Sequence, residues 1–241
     1  GFFLILGITG NSSNNEKKYI SEFISRKVDG VIWVPQLTYV NDIEHMKKLD
    51  EYGIPYLFLA AYYEQSSAPF VMCNLKKGSY LMTQYLIERD IHNIVMLIGD
   101  RRVDETYISG YKMALEEAGL VYSESNVYES TYHFDDVQKL AMEILKERPE
   151  AIMTNSDFTA CAVLQAARIK GLSIPRDLSV CGYDDVIYAT INQIPLTTVS
   201  QPIERMCKLA VNNLMNLLQY GIVPDSVILE PSLIIRDTVK R

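Results

Sequence analysis

The chain has 241 residues, of which 48% are hydrophobic and 22% charged, and its formal net charge is −7. This composition is that of a folded globular protein and argues against disorder. An acidic chain without a long run of Lys or Arg is a poor nucleic-acid binder, so any DNA contact would lie outside these residues. No apolar run approaches the roughly 20 residues that a membrane-spanning helix needs.

Strands and helices alternate along the sequence. Short apolar or β-branched runs predict strands at 2–8, 31–34, 55–59, 94–98, 127, 151–154 and 178–181, a further strand leading into Pro202, and two edge strands at 227–229 and 233–235. Helical patterns ended by Gly or opened by caps predict helices at 13–26, 41–52, 78–89, 105–118, 135–147, 159–170 and 203–218. Ser13 and Glu16 have the spacing of a capping box at the start of the first helix.

Repeated strand–helix units with short connections predict parallel sheets with right-handed crossovers. The number of strands exceeds what one sheet of a chain this long usually holds, so we expect an α/β protein with two doubly wound lobes. The lobes are predicted to be joined by a hinge that the chain crosses three times. The predicted N-terminal lobe comprises residues 1–99 and 201–221, and the C-terminal lobe comprises residues 100–200 and 222–241.

The cysteines indicate the redox environment. Cys73, Cys161, Cys181 and Cys207 are far apart and form no C-x-x-C pair. Three of them lie in an apolar strand or helix context, which is typical of reduced thiols in a cytosolic protein. A disulfide between two of them stays open as the alternative.

The most informative stretch of the sequence lies near its C-terminal end. A short strand at 178–181 leads into Asp184 and Asp185, and a second strand then runs into Pro202. This order places Asp184 just beyond the carboxyl end of a buried parallel strand, where open α/β sheets bind small ligands. No catalytic motif lies nearby, so the pattern favours ligand recognition over chemistry.

These residues resemble a known family. Residues 171–185 (Gly-Leu-Ser-Ile-Pro-Arg-Asp-Leu-Ser-Val-Cys-Gly-Tyr-Asp-Asp) and 195–202 (Pro-Leu-Thr-Thr-Val-Ser-Gln-Pro) closely resemble the effector-binding domain of LacI/GalR transcription repressors. Shorter matches extend the resemblance over essentially the whole chain, at 28–32, 53–55, 110–115 and 230–236. Residues 53–69 and the 230–236 tail look most like arabinose-responsive repressors, which have a winged-helix head of the GntR type.

The resemblance implies a periplasmic-binding-protein-like type I fold and a cytoplasmic repressor domain. Ahead of residue 1 it implies a first strand, a first helix and a head that binds operator DNA. It also implies a homodimer, formed chiefly through the lobe that contains helices 78–89 and 203–218. The effector would be a sugar such as L-arabinose, with no cofactor, no membrane partner and no catalysis. The sugar would close the two lobes and so change the affinity for the operator.

Three candidate ligand contacts lie at predicted strand ends. Asp184 matches the family's acidic ligand contact, since a carboxylate accepts several hydroxyl hydrogen bonds, although it could also cap the next turn. Ser156 takes the ligand-facing place of an Asn in many relatives, whereas Asp157 is better explained as the helix cap. Gln201 matches a polar hinge contact or is simply solvated. Asp185 is expected to have a structural role.

Arginines and a tyrosine follow the strand at 94–98. Arg101 and Arg102 stand where relatives have groups that line the ligand cleft, and a guanidinium can donate two parallel hydrogen bonds, although solvated surface arginines are the alternative. Tyr107 replaces the Arg that the family has three residues before its Gly-aromatic pair. This replacement exchanges a permanent charge for a phenol, so the family's particular sugars cannot be transferred to this chain.

The remaining candidates would form walls of the site. Aromatic planes stack on the C–H faces of sugars, and polar side chains at the ends of the first strands could bind hydroxyl groups. The candidates of these two kinds are Tyr62, Tyr63, Tyr132 and His133, and Gln36 and Thr38. For any single Tyr, a place in the core or in an interface is the more common alternative.

Other classes of protein remain as alternatives. The sequence has no G-x-S-x-G, no P-loop, no G-x-G-x-x-G and no H-E-x-x-H motif, and its three His residues are isolated, so neither an enzyme nor a metal site is indicated. A solute-binding protein of a sugar transporter would share the fold, but it would be a monomer with a secretory leader. An enzyme on the same fold stays open, because fold class alone cannot exclude it.

Overall fold

The computed structural model describes residues 1–10, 12–35, 43–99, 101–131 and 133–241, and of residues 101–103 it describes the backbone. Its strands are β1 (Val31–Trp33), β2 (Tyr56–Leu59), β3 (Phe70–Cys73), β4 (Ile94–Ile98), β5 (Val127–Glu129), β6 (Ala151–Thr154), β7 (Ser179–Asp184), β8 (Thr197–Ser200), β9 (Val227–Leu229) and β10 (Ser232–Ile234). Its α-helices are α1 (Ser13–Ser25), α2 (Glu44–Glu51), α3 (Leu75–Ile87), α4 (Arg101–Glu117), α5 (Phe134–Ile144), α6 (Asp157–Ile169) and α7 (Ile203–Tyr220).

The chain forms two compact units. The first unit comprises Gly1–Cys73 and Pro202–Leu229. Its sheet has the order β1-β2-β3-β9, and all of its pairings are parallel. Helix α7 packs on β1, β2 and β3 and ends at Gly221, whose backbone is left-handed. The core of this unit includes Ile20 and Leu49, both fully buried.

A buried polar group also holds the first unit together. Glu16 of α1 is fully buried, and its carboxylate accepts hydrogen bonds from Trp33 Nε1 at 3.2 Å and from the Tyr63 hydroxyl at 3.0 Å. The capping interpretation of Glu16 is therefore wrong. The cap of α1 is Ser12, which accepts from the backbone N–H of Asn15, and Glu16 instead ties α1 to the sheet.

The predicted strand at 2–8 is absent. These residues have no regular secondary structure, and Phe3 and Leu4 are almost completely exposed. The apolar run has the pattern of a buried strand, but β1 is an edge strand whose neighbour in the sheet is β2. A strand needs a partner for its backbone hydrogen bonds, and none of the described strands pairs with this run.

The second unit comprises Asn74–Gln201 and Glu230–Arg241. Its six-stranded sheet has the order β10-β8-β7-β6-β4-β5, in which β10 is antiparallel to β8 and the other pairings are parallel. Alternate residues of β4 face opposite sides. Met96 packs in a cluster with residues of α3 and α4, whereas Leu97 packs in a cluster with residues of α5 and α6. Helices cover both faces of this sheet, so the α/β architecture with parallel sheets is confirmed.

Helices α3 and α4 pack closely because Gly110 has no side chain. A Cβ atom at this position would lie 2.1 Å from the carbonyl oxygen of Lys76 and 2.9 Å from the backbone nitrogen of Tyr80. Both atoms belong to the backbone of α3, which cannot rotate away. The glycine at position 110 therefore fixes the distance between the two helices.

The boundaries of the units differ from those predicted. The chain passes between the units at 73/74, 201/202 and 229/230. Residues 74–99 belong to the second unit, since β4 pairs with β5 and β6 and α3 packs on α4. Conversely, β9 belongs to the first unit because it pairs with β3. The two helices predicted to form the dimer interface, α3 and α7, therefore lie in different units.

Candidate functional site

The six-stranded sheet of the second unit has a topological switch point between β4 and β6. Strand β5 lies on one side of β4, whereas β6, β7 and β8 follow one another on the other side. Helix α4 packs with α3, and α6 packs with α5 on the opposite face. The helices that follow β4 and β6 therefore diverge, which in open parallel sheets leaves a crevice where ligands bind. The carboxyl edge of this sheet is the candidate site.

Asp184 ends β7 at this edge. Its φ is 101° and that of Asp185 is 56°, so two successive non-glycine residues adopt the left-handed region, a strain that is common at ligand sites. The Gln201 amide donates a 2.7 Å hydrogen bond from Nε2 to Asp184 Oδ1. Burial raises the pKa of Asp184, and the hydrogen bond from Gln201 opposes this effect. The structure thus brings Asp184 and Gln201 together.

Asp185 has the structural role that its sequence position suggested. Its carboxylate forms an ion pair with the Arg236 guanidinium, which also donates a 2.9 Å hydrogen bond to the Leu196 carbonyl oxygen. Both side chains of the ion pair are mostly buried. This ion pair fixes the turn after β7 to the C-terminal segment of the unit.

Asp157 also supports the turn after β7. It is fully buried, and its carboxylate accepts hydrogen bonds from the Thr198 hydroxyl at 2.6 Å and from the Val186 backbone N–H at 2.8 Å. Burial raises the pKa of Asp157 to about 6, against the effect of these two hydrogen bonds. Gly182 makes room for this carboxylate, since a Cβ atom there would lie 2.3 Å from Asp157 Oδ1.

The cap of α6 is Ser156, not Asp157. Ser156 Oγ accepts a 3.1 Å hydrogen bond from the backbone N–H of Thr159 and lies 2.9 Å from Thr159 Oγ1. The expectation that Asp157 caps the helix is therefore wrong, because Asp157 is already helical. Ser156 lies at the carboxyl edge as predicted, but its hydroxyl group is already used in capping.

Tyr107 and Tyr63 lie in cores. Tyr107 is buried with its ring edge-on to Tyr183, with 4.9 Å between the ring centroids. Tyr63 of the first unit is 2% exposed, and its hydroxyl donates to the buried Glu16 carboxylate. The position of Tyr63 corrects the prediction that its ring forms a wall for a ligand, since a buried ring has no face free to stack on a sugar. Tyr107, which stands in place of the family's Arg, is buried as well.

The remaining candidates are less constrained. Tyr62 is partly buried and stacks on Phe70, with 4.3 Å between the ring centroids. His133 is exposed at the start of α5, and its backbone N–H donates to Thr131 Oγ1. Some predicted site residues lie outside the described residues or have side chains that are not described: Gln36, Thr38, Tyr132, Arg101 and Arg102.

Two residues at the switch point were missed by the sequence reasoning. Asp104 lies in the first turn of α4 and Asn155 follows β6; both are buried. Asp104 Oδ2 accepts hydrogen bonds from the Gly99 backbone N–H at 2.9 Å and from Asn155 Nδ2 at 2.8 Å. The available signal was a polar residue directly after a buried strand, next to Ser156. It was overlooked because the pairing depends on β4 lying beside β6.

In the described parts of the chain, no group of three or more His, Cys, Asp or Glu side chains is arranged to hold a metal ion. No described helix combines the length and the apolar character needed to cross a membrane. All four cysteines are free thiols: Cys73 and Cys181 are buried, Cys161 is partly buried and Cys207 is exposed.

Comparisons with known proteins identify relatives over the whole chain. Residues 83–239 match the model of the family described as periplasmic binding protein-like domain. The HTH-type transcriptional repressor PurR of Vibrio atlanticus is 34% identical over 100% of this chain and 73% of its own length. The HTH-type transcriptional regulator DegA of Bacillus subtilis is 31% identical over 86% of this chain. The chain spans only 62% of the length of DegA.

Solved structures of regulators are also similar. The complex of the transcriptional regulator CelR with cellobiose superposes with a TM-score of 0.84 at 26% identity, covering 94% of this chain and 71% of that one. A LacI-family transcriptional regulator from Enterococcus faecium with bound ribose superposes with a TM-score of 0.83 at 20% identity, covering 92% of this chain and 83% of that one. The second similarity establishes the fold alone.

Proposed function

Because this chain belongs to the periplasmic binding protein-like domain family and its relatives are LacI-family transcriptional regulators, we propose that it is the effector-binding part of a repressor. Its effector is a small, hydroxyl-rich molecule of the sugar class, and it catalyses no reaction. The relatives are transcriptional regulators rather than enzymes. Effector binding changes the population of a DNA-binding conformation by its differential affinity for the two states.

The observation that supports this proposal most is the arrangement of Asp184. Its carboxylate ends a central strand at the switch-point edge, and Gln201 occupies only one of its two oxygens among the described hydrogen bonds. A carboxylate accepts hydrogen bonds and cannot donate them, so the matching ligand presents donors such as hydroxyl groups. The nearby Asp157 and Asp185 are already engaged by protein groups. We therefore assign Asp184 as the acidic residue at this edge that accepts hydrogen bonds from the ligand.

The partners of the whole protein belong to the same proposal. Operator DNA binds through a head outside these residues, since the chain is acidic and spans only 62–73% of its curated relatives. A homodimer is supported by α7, which exposes Ile203 and Val211. Location in the cytoplasm follows from a function on DNA. The predicted closure of the two lobes on the ligand stays a prediction.

The finer specificity rests on the sequence resemblance alone. L-arabinose as the effector and a GntR-type winged-helix head are proposed from residues 53–69 and 230–236. In the relatives with known complexes, the bound sugars are cellobiose and ribose. L-arabinose, D-ribose and cellobiose are therefore the first ligands to test.

Calorimetric titration tests the function. The panel contains L-arabinose, D-ribose, D-glucose, cellobiose, ribose 5-phosphate and adenine. We expect saturable heat from at least one neutral sugar and no change in the recovered sugar. If no member of the panel gives heat, the sugar proposal fails. Chemical turnover of a bound ligand would establish an enzyme instead.

The variant Asp184→Asn tests the assigned group. Asn keeps an acceptor for Gln201 but replaces the charged oxygen at the site by a donor, so the affinity should fall about 10- to 100-fold, as for the loss of a hydrogen bond to a charged group. In the native protein the affinity should also fall as the pH falls through the raised pKa of Asp184, and this fall should be absent in the variant. The matched control is Asp90→Asn. Asp90 is exposed, precedes β4 at the opposite edge and has a φ of 57° that Asn tolerates.

Sedimentation separates the repressor from a transporter's solute-binding protein. We expect a dimer at micromolar concentration. A monomer that still binds sugar tightly would favour the solute-binding protein and remove the proposed link to DNA.

A further inference from the structure

The Asp104–Asn155 pair lies at the switch point between β4 and β6. Asp104 comes from the helix that follows β4, and Asn155 comes from the end of β6. The two strands are neighbours, with Leu97 opposite Thr154. The pair is therefore located where an open parallel sheet binds its ligand.

The pair fixes the orientation of the Asn155 amide. Asp104 Oδ2 accepts from the Gly99 backbone N–H and from the Asn155 side chain, so the NH₂ group of the Asn155 amide faces Asp104. The Nδ2–Oδ2 distance of 2.8 Å agrees with this orientation. The carbonyl oxygen of the same amide is consequently turned away from Asp104.

This carbonyl oxygen is a buried acceptor in need of a donor. Asn155 is 7% exposed, and its Oδ1 has no hydrogen-bond partner among the described residues. A buried carbonyl oxygen without a donor destabilises the protein, and native structures retain few such groups. The neighbouring Ser156 hydroxyl is used in capping α6, so Asn155 offers the free polar atom at the end of β6.

We propose that Asn155 Oδ1 is a specificity-determining acceptor for the effector and that Asp104 is its positioning residue. This inference rests on the proposed function and deepens it. Asn155 accepts one hydroxyl or N–H of the ligand, in addition to the donors that bind to Asp184. The oxygen is covered by protein, so a ligand reaches it only after a local shift of the surrounding residues.

A thermodynamic cycle that combines one protein substitution with one change in the sugar tests the acceptor. The first probe is the sugar that binds most tightly among D-ribose, L-arabinose and cellobiose. Each monodeoxy analogue of that sugar is the second probe. Both are titrated into the native protein and into Asn155→Ala. We expect the native protein to bind one analogue about tenfold more weakly than the parent sugar, as for one lost hydrogen bond. Asn155→Ala should bind that analogue and the parent equally. A uniform weakening of all sugars by Asn155→Ala would show a merely structural role and overturn the inference.

Asp104→Asn tests the positioning role. With Asn at position 104, two amide groups face each other, and either end of the Asn155 amide can point towards the ligand. The affinity difference between the parent sugar and the same analogue should therefore shrink, while the protein stays folded. Full retention of the discrimination would remove Asp104 from the proposal. The control is Asn216→Ala, an exposed substitution on α7, which should leave the discrimination unchanged.

A crystal structure without ligand decides the inference even if no sugar binds. A protein N–H or O–H group within hydrogen-bond distance of Asn155 Oδ1 would overturn it whatever the ligand. An Oδ1 that faces only water at the sheet edge would support it. Failure of the whole sugar panel would then count against the proposed function and not against the acceptor.

Discussion

Two apolar runs of similar composition have opposite surroundings in this protein. In the second unit, β4 (Ile-Val-Met-Leu-Ile) is completely buried between β5 and β6, with helices on both faces. In the first unit, residues 2–8 (Phe-Phe-Leu-Ile-Leu-Gly-Ile) are mostly exposed and form no strand. An apolar run therefore becomes a strand only where neighbouring strands satisfy its backbone hydrogen bonds and other elements cover its side chains.

The two units also differ in what holds them together. The second unit has two apolar clusters, one on each face of its sheet, and tight contact between the backbones of α3 and α4. Among the described residues of the first unit there is one apolar cluster, and the buried carboxylate of Glu16 links α1 to the sheet. Close packing should therefore dominate the stability of the second unit, and a polar network should matter more in the first.

The largest effect is expected from Gly110→Ala, which disrupts the second unit. The added methyl group would meet the Lys76 carbonyl oxygen at 2.1 Å, and only a shift of the helices relieves this contact. Overpacking against a backbone should lower the free energy of unfolding by about 3 kcal/mol. Urea unfolding followed by far-UV circular dichroism measures it. Ser109→Ala in the same turn is the control, with a change within about 0.5 kcal/mol. A loss of less than about 1 kcal/mol for Gly110→Ala would contradict the close packing.

The next largest effect is expected from Glu16→Ala in the first unit. The substitution leaves Trp33 Nε1 and the Tyr63 hydroxyl without their buried acceptor, which should cost about 2–3 kcal/mol. Trp33 is the only tryptophan of the chain, so its fluorescence reports on the first unit. The opening free energy that hydrogen exchange measures in α3 and α4 should fall by less than the unfolding free energy that Trp33 fluorescence measures.

Glu22→Ala is the matched control for this variant. Glu22 lies on the same helix and forms an exposed ion pair with Arg26, so its loss should cost less than about 0.5 kcal/mol. Equal effects of the two variants on the Trp33 transition would show that the buried network does not stabilise the first unit.

A smaller and pH-dependent effect is expected from Asp157→Asn in the second unit. The pKa of Asp157 is raised to about 6, above that of an unfolded Asp near 3.9, so the folded state binds the proton more tightly. The native protein should therefore lose stability from this group as the pH rises from about 4 to about 6, by about 1–2 kcal/mol. Asn mimics the protonated form, since it can accept from the Val186 N–H and donate to the Thr198 hydroxyl. At pH 7 the variant should be as stable as the native protein or more so.

Asp177→Asn is a control of opposite sign. The hydrogen bond from Arg176, followed by that from the Ser173 N–H, lowers the pKa of Asp177 to about 2. Its contribution is therefore present above the unfolded pKa and lost as the pH falls towards about 2. Urea unfolding at several pH values compares the variants. A free-energy difference between native protein and Asp157→Asn that does not vary from pH 4 to pH 6 would contradict the raised pKa.

The sequence predicts most of the elements but not their neighbours. Strands such as β4 and β6 follow from short apolar runs between turn signals, and α7 follows from its period and from Gly221. Strand β3 was missed because Phe70–Cys73 is a four-residue run beside irregular residues. The predicted boundary at residue 99 is wrong because it depends on which sheet β4 joins, and the sequence of one strand does not encode its partner.

The site shows the same limit. Asp184 and Gln201 were placed at strand ends from the sequence, and the structure joins them by a hydrogen bond. The Asp104–Asn155 pair could not be predicted, because residues 51 positions apart become neighbours only once β6 lies beside β4. Tyr63 was misassigned, because the sequence around a tyrosine does not show whether its hydroxyl donates a hydrogen bond to a buried carboxylate.

The smallest effect is expected from Leu4→Ala in the exposed run of the first unit. Leu4 is 92% exposed, so truncation removes almost no buried area and should change the free energy of unfolding by less than about 0.5 kcal/mol. An exposed apolar run of high β propensity is also a site for self-association. Replacing Phe3, Leu4 and Leu6 together by Ser should therefore raise the concentration at which light scattering begins while leaving the Trp33 transition unchanged. A loss of more than about 1 kcal/mol for Leu4→Ala would mean that the run packs in solution and that its difference from β4 is not real.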